Sequence, residues 1–245
     1  MQFSHRKGGK MKNYIILNGV HSDTISGLLI QSLPPITKPK MRAEVEQIDG
    51  RDGDIITQLG YSAYDKEFTI GLYGQFDIDE VISFFNSNGQ VTFSNEEDKY
   101  YNYTILNQID FEKLLRFKTA KVKMHIQPFK YSITDNDKIF PIDSNINNIT
   151  IRNAGNIYSR PILTIQGTGN IGIYLNGIQI FEIALGSLTN IVIDTNNMEA
   201  YLGNVLLNRL VTGNYDNFKL NVGKNTITWS GSVSSIEIQN FSRWI

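Results

Sequence analysis

The sequence predicts a mainly β protein in two parts, with one helix in the first part. Three observations carry this. Short strand-type runs broken by Gly, Pro or Asp recur along the whole chain. Charge is concentrated in residues 1–140, which hold 17 of the 23 basic and 18 of the 24 acidic residues, whereas 141–245 hold 17 asparagines against eight before them. Only one stretch, 77–89, combines helical spacing with start and stop signals. Between the halves, 134–138 and 141–148 are polar and lack periodicity, which reads as a linker. With 245 residues there is room for two separate cores, and the reading is a domain at 11–140 and a second at 141–245.

Residues 1–10 are read as an extension outside the fold. The run Arg6-Lys-Gly-Gly-Lys-Met11 is what a purine-rich bacterial ribosome-binding site and its start codon would encode, so Met11 is read as the natural start, in a bacterial or phage genome. Residues 14–17, 28–32, 43–48 and 67–72 are strand-type runs. In the helix, Asp77 can cap with Glu80 three residues on, Ile78, Val81, Ile82 and Phe85 share a face, and Gly89 closes it. Such a short helix needs a sheet to pack on. The clearest strand is 121–127, with Val122, Met124 and Ile126 on one side and Lys121, Lys123, His125 and Gln127 on the other. Leu115 and Phe117 alternate with Arg116 and Lys118 in the opposite parity, so a bulge or tight turn is expected at Thr119-Ala120.

The second half reads as an all-β sandwich with no helix of more than a turn. Strands are expected at 163–166, 171–175, 179–183, 190–194, 199–202, 226–229 and 235–239, and Asn176-Gly177 is a favoured hairpin turn.

Composition excludes several classes of function. The formal charge of −1 lacks the basic excess of an obligate nucleic-acid binder. The absence of cysteine removes disulfides, thiolate nucleophiles and Cys-ligated zinc. No apolar run is long enough to span a bilayer, and no export signal is read, so a soluble chain made in a bacterial cytoplasm is expected.

Motifs with chemical meaning resolve to structural readings. Gly167-Thr-Gly-Asn-Ile-Gly172 matches the dinucleotide fingerprint, but Ile171–Leu175 continues as a strand where a helix N-terminus would have to face the pyrophosphate. The three carboxylates of 49–54 suit calcium poorly, because Gly60 stands where a closing Glu is needed, so the segment reads as a solvated turn. Glu96-Glu-Asp98 reads as a hairpin tip. Outside the extension only His21 and His125 are histidines, and no G-x-S-x-G, H-E-x-x-H or P-loop occurs. No catalytic residue, cofactor site or metal site is assigned, and no enzyme is expected. The basic stretch Lys113, Arg116, Lys118, Lys121, Lys123 and Lys130 reads as a solvated face, and clustered tyrosines suit either sugar stacking or a protein interface.

Taken in order, three segments of the first half resemble the distal tail protein of long, flexible-tailed bacteriophages, the hub between tail tube and tip. They are Ile48-Asp-Gly-Arg-Asp-Gly53, Val91-Thr-Phe-Ser-Asn-Glu-Glu-Asp-Lys-Tyr-Tyr101 and Val122-Lys-Met-His-Ile-Gln-Pro-Phe-Lys-Tyr131, with the helix between the first two. In the second half, Asn153-Ala-Gly155, Arg160-Pro161, Gly167-Thr-Gly169 and Gly223-Lys-Asn-Thr-Ile-Thr-Trp-Ser-Gly231 follow in the expected order. The resemblance implies an N-terminal β-sandwich with a helix and a projecting hairpin arm, then a galectin-like (jelly-roll type) C-terminal β-sandwich. It further implies a homo-hexameric ring in the virion tail tip, with a DNA channel. The tail-tube protein would lie on one side and a tail-tip or tail-associated lysin protein on the other, with receptor-binding or baseplate proteins at the periphery. On this resemblance, the hairpin around 93–103 and the strand 121–131 are candidate ring contacts, through Phe93, Tyr100, Tyr101, Tyr103, Lys121, Lys123 and His125. The alternative is that both segments pack within one subunit. A carbohydrate-binding module acting in host attachment is the competing function, although Trp229 lies in an alternating strand and Trp244 at the terminus, so neither offers an obvious sugar platform. A carboxylate-based hydrolase of cell-wall glycans is the third.

Overall fold

A computed structural model describes residues 12–85, 87–106, 108–135, 138–141, 147–239 and 242–245. The expected extension 1–10 and start at Met11 lie outside them, as do residues 136–137 and 142–146 of the expected linker. The chain divides into two compact units between Pro128 and Phe129. Residues 129–132 continue a strand of the first unit in sequence but pair with the C-terminus of the second, and Lys138–Pro141 also pairs within the second unit. The division therefore falls earlier than composition alone suggests.

The first unit contains β1 (Ile15–Leu17), β2 (Val20–His21), β3 (Leu28–Ser32), β4 (Met41–Gln47), β5 (Asp54–Tyr61), β6 (Tyr64–Leu72), α1 (Ile78–Phe84), β7 (Asn88–Phe93), β8 (Lys99–Thr104), α2 (Phe111–Phe117) and the start of β9 (Thr119–Ser132). Its main sheet runs β2-β1-β7-β8-β9-β6-β3, while β4 and β5 form a separate two-stranded sheet. Val122, Met124 and Ile126 of β9 are fully buried, as their alternation requires. They pack with Phe68, Ile70, Val91, Phe93 and residues of both helices in one apolar core.

Asp77 caps α1, its Oδ1 accepting from the Asp79 and Glu80 amides at 2.9 and 3.4 Å. The helix ends at Phe84, short of the expected Gly89, because Asn88 already belongs to β7. Val81, Phe84 and Phe85 face the core, while Ile82 is 43% exposed. A second helix was not expected. Residues 115–117 belong to α2 rather than to a strand, and Lys118 at φ +57 turns the chain into β9. The parity change in the sequence is thus a helix end, not a bulge. Asp110 caps α2 by accepting the Lys113 amide at 2.8 Å, and only Leu114 of the helix is buried.

The second unit contains a nine-stranded sheet of β10 (Lys138–Pro141), β11 (Asn148–Asn153), β12 (Ile162–Leu175), β13 (Ile178–Ala184), β14 (Asn190–Asp194), β15 (Glu199–Leu202), β16 (Val205–Leu206), β17 (Val211–Gly213) and β18 (Gly223–Gln239), and outside that sheet β19 (Arg243–Trp244) pairs with residues 130–131. Four expected strands merge into two long ones, β12 and β18, which pair antiparallel with register shifts at Gln166/Gly167 and Thr168/Gly172. Glycine is required at this bend. A Cβ on Gly167 would stand 2.3 Å from the Ser232 carbonyl oxygen, and one on Gly231 (φ +88) 2.2 Å from that of Asn170. The fingerprint-like 167–172 run is therefore a bent strand. Both halves are β-sandwich structures, as the sequence predicts.

The asparagines of the second half hold its loops. Buried Asn225 donates to the Asn221 and Gly223 carbonyls at 2.7 and 3.1 Å and accepts from the Asn221 amide at 3.0 Å. Asn153 donates to the Ile157 and Leu220 carbonyls and accepts the Gly155 amide. Side-chain amides satisfy backbone groups that no strand partner reaches.

Candidate functional site

The aromatic residues proposed from the sequence as contacts are turned inward. Phe93, Tyr100, Tyr101 and Tyr103 are between 1% and 4% exposed. Phe93 meets Phe68 and Tyr101 edge-on, with centroids 6.0 and 5.9 Å apart. The Tyr101 hydroxyl donates to Glu96, and burial, then that carboxylate, push its pKa above the ordinary phenol value. These side chains are spent inside the subunit and cannot form a contact surface. Lys121, Lys123 and His125 do face outward, on a polar sheet face. Lys121 pairs with Glu67 at 2.6 Å, and Asp65 takes Lys123 at 2.7 Å and His125 at 2.9 Å. Lys123, then His125, hold the Asp65 carboxyl below the usual carboxylate range. This face is internally neutralised across β6 and β9 and presents no apolar residue of its own.

The apolar surface lies elsewhere, on the β4–β5 hairpin. Val45 and Ile56 are cross-strand neighbours, so their side chains share a face, and they are 55% and 62% exposed. Met41 and Leu59 are also exposed, as are the flanking Ile36 and Ile48. An isolated two-stranded hairpin is marginal in water, and an exposed apolar cluster of this kind marks an interaction surface. Residues 41–61 carry two basic and five acidic side chains, a net charge of −3. On β4, Met41, Ala43 and Val45 alternate with Arg42, Glu44 and Glu46, the pattern of a half-buried strand, so nothing in the sequence marked this apolar side as left open.

The root of the hairpin is fixed to the core from its outgoing side. Lys66, 3% exposed, donates to the Pro35 carbonyl at 2.7 Å, with its ammonium 5.1 Å from the Tyr101 ring centre, 5.7 Å from Tyr64 and 5.9 Å from Phe93. Asn95 donates to the Pro34 carbonyl at 3.1 Å, and Thr37 hydrogen-bonds the Tyr64 hydroxyl. The hairpin thus leaves the sheet as a held arm. Lys66→Met, which keeps the stem among the rings and deletes the ammonium, is expected to speed limited proteolysis within residues 33–40 by about tenfold with far-UV circular dichroism unchanged. Unchanged cleavage would mean that the Lys66 ammonium does not hold residues 33–40.

An open depression of about 480 Å³ is lined by Lys12, Tyr14, Asp23 and Glu97, among others. Lys12 is already paired with Asp23 at 2.8 Å, and Tyr14 is hydrogen-bonded to Glu97. Among the described residues no group of three or more His, Asp or Glu side chains is placed to hold a metal, and no helix is long and apolar enough to cross a membrane. In the second unit Trp229 is 8% exposed, so it offers no platform for a sugar. Arg243 is buried, donating from Nε to the Tyr158 carbonyl at 2.7 Å and stacking on Phe129 at 4.0 Å. Its burial lowers its pKa.

Among solved structures, the SPP1 Dit protein, a paradigm of the hub adsorption apparatus in phages infecting Gram-positive hosts, superimposes with a TM-score of 0.60 at 12% identity, over 95% of this chain and 99% of its own. The chain has the fold of a phage tail hub. Two structures of the phage P2 baseplate in its activated conformation, with calcium and with strontium, contain chains matching with TM-scores of 0.53 and 0.51, each at 13% identity. These matches cover 94% and 93% of this chain and 98% and 97% of theirs. No protein-family profile matches the chain. No curated protein matches its sequence.

Proposed function

We propose that the chain is the structural hub of a phage tail tip, a virion component without catalytic activity. The observation that carries this reading is the fold likeness over nearly the full length of both chains to the SPP1 Dit hub and to chains of the P2 baseplate. Six copies form a ring joining the tail tube to the tip or baseplate and its receptor-binding apparatus, with DNA passing through the centre. The tail-tube protein and a tail-tip or tail-associated lysin protein are the neighbours on the two faces.

Two physical points support it. A channel that releases DNA is best lined without a basic excess, since each phosphate contact would retard passage, and the net charge is −1. A ring of identical copies needs head-to-tail contacts between two different patches, and the hairpin arm supplies an exposed apolar patch on a short, held projection. Light scattering and negative-stain imaging of the full chain, alone and with purified tail-tube protein, test the reading. A six-fold particle with an open centre is expected, and a chain that stays monomeric in both samples overturns it.

A further inference from the structure

In the second unit, the outer face of β11, β18, β12 and β13 carries an aromatic ring that the subunit itself does not use. On β12, Ile171, Ile173 and Leu175 point into the core, so Gly172 and Tyr174 lie on the opposite face. A Cβ on Gly172 would stand 3.2 Å from Cε2 and 3.3 Å from the hydroxyl oxygen of Tyr174. Residues two apart on a strand are separated by about 7 Å, so the ring reaches that point only by lying down along the strand, over the glycine. A side chain at position 172 would lift it. Tyr174 is partly exposed, and among the described residues its side chain has no ring, ion-pair or hydrogen-bond partner.

The register surrounds this ring with polar groups. Gly172 stands between Glu182 and Ser230, and Tyr174 between Gln179 and Thr228. Hydroxyls, an amide and a carboxylate around a recumbent phenol ring complement a sugar, whose C–H face packs on the ring while its hydroxyls bond the rim. Six residues from Ser230 along β18, about 20 Å away, Lys224 stands directly opposite Arg152 of β11, and both are exposed. Like charges in opposed cross-strand positions repel. Among the described residues neither base pairs with a carboxylate, so nothing in the subunit offsets that repulsion, and a negative group from outside would. Between the ring and the bases the face is lined by threonines, with Thr226 opposite Thr150.

We infer that this face binds an acidic oligosaccharide, with one sugar ring stacked on Tyr174 and a phosphate or carboxylate group farther along the chain met by Arg152 and Lys224. The site lies wholly within the second unit. It goes beyond the hub reading and does not rest on the ring.

The experiment applies the labelled full chain to an array of oligosaccharides in neutral, uronic-acid-containing and phosphate-bearing forms. The acidic forms are expected to bind, and their neutral counterparts more weakly. Tyr174→Ala is expected to weaken binding of the acidic forms at least about tenfold, and Tyr174→Phe to keep it. Arg152→Ser with Lys224→Ser is expected to weaken the acidic forms by about fivefold and to leave the neutral ones unchanged. All three positions face outward, so the far-UV circular dichroism and melting curves of the variants should match those of the unaltered chain. A chain that binds no glycan on the array overturns the inference. So does binding that is lost in the charge variant but kept in Tyr174→Ala, since that is the behaviour of any basic surface towards a polyanion. Either failure leaves the hub reading, which is tested by particle symmetry, where it stands.

Discussion

A chain carrying Val45→Glu and Ile56→Glu is expected to remain folded and to lose its assembly. Both side chains are more than half exposed in the subunit, so their replacement changes subunit stability by no more than about 0.5 kcal/mol. In a ring the two would be covered by the neighbouring copy. Full burial of each is worth about 1.5–3 kcal/mol, and a charge placed in an apolar contact adds to the loss. A cost above about 3 kcal/mol per contact weakens association by more than about a hundredfold. Light scattering of the variant should give a subunit mass, with a melting curve matching that of the unaltered chain. Undiminished assembly would remove the hairpin from the interface.

Phe93→Ala is expected to do the reverse, and its effect is the largest on stability. Phe93 is 1% exposed and packed edge-on against Phe68 and Tyr101. Truncation leaves a cavity in the first unit's core at a cost of about 3–5 kcal/mol, a large share of the roughly 5–15 kcal/mol that holds a domain together. Urea denaturation followed by far-UV circular dichroism should show a much lower midpoint for the first unit at concentrations where no ring exists. A subunit as stable as the unaltered one would return Phe93 to the surface and restore the 93–103 hairpin as a contact. The two variants together separate a core residue from an interface residue, which aromatic composition cannot do.

The strand 121–127 was legible because its period-2 alternation matches a half-buried strand, and the structure buries the three apolar residues completely. Asp77 was legible as a cap because capping needs only a carboxylate and the two or three amides that follow it. Residues 115–118 misled because two apolar residues spaced i, i+2 fit a strand, whereas in α2 they fall on opposite flanks of the buried Leu114. The segments 163–175 and 226–239 each read as two strands because glycines interrupt the apolar pattern, whereas the paired backbones close around those glycines and continue.

What the sequence determined by itself is local: which residues alternate, where a helix is capped, where a turn needs Asn-Gly, and the β class that follows from their sum. Each of these depends on neighbours within a few positions. What only the tertiary structure decided is which apolar side chains are covered. Tyr101 and Val45 both sit in short strands with polar neighbours, yet one is enclosed by Phe93 and Glu96 of its own hairpin and by Lys66 from β6, and the other stands on a hairpin that no further strand joins. Burial is set by residues far away in the chain, so the division between core and contact surface appears only once the strands are assembled.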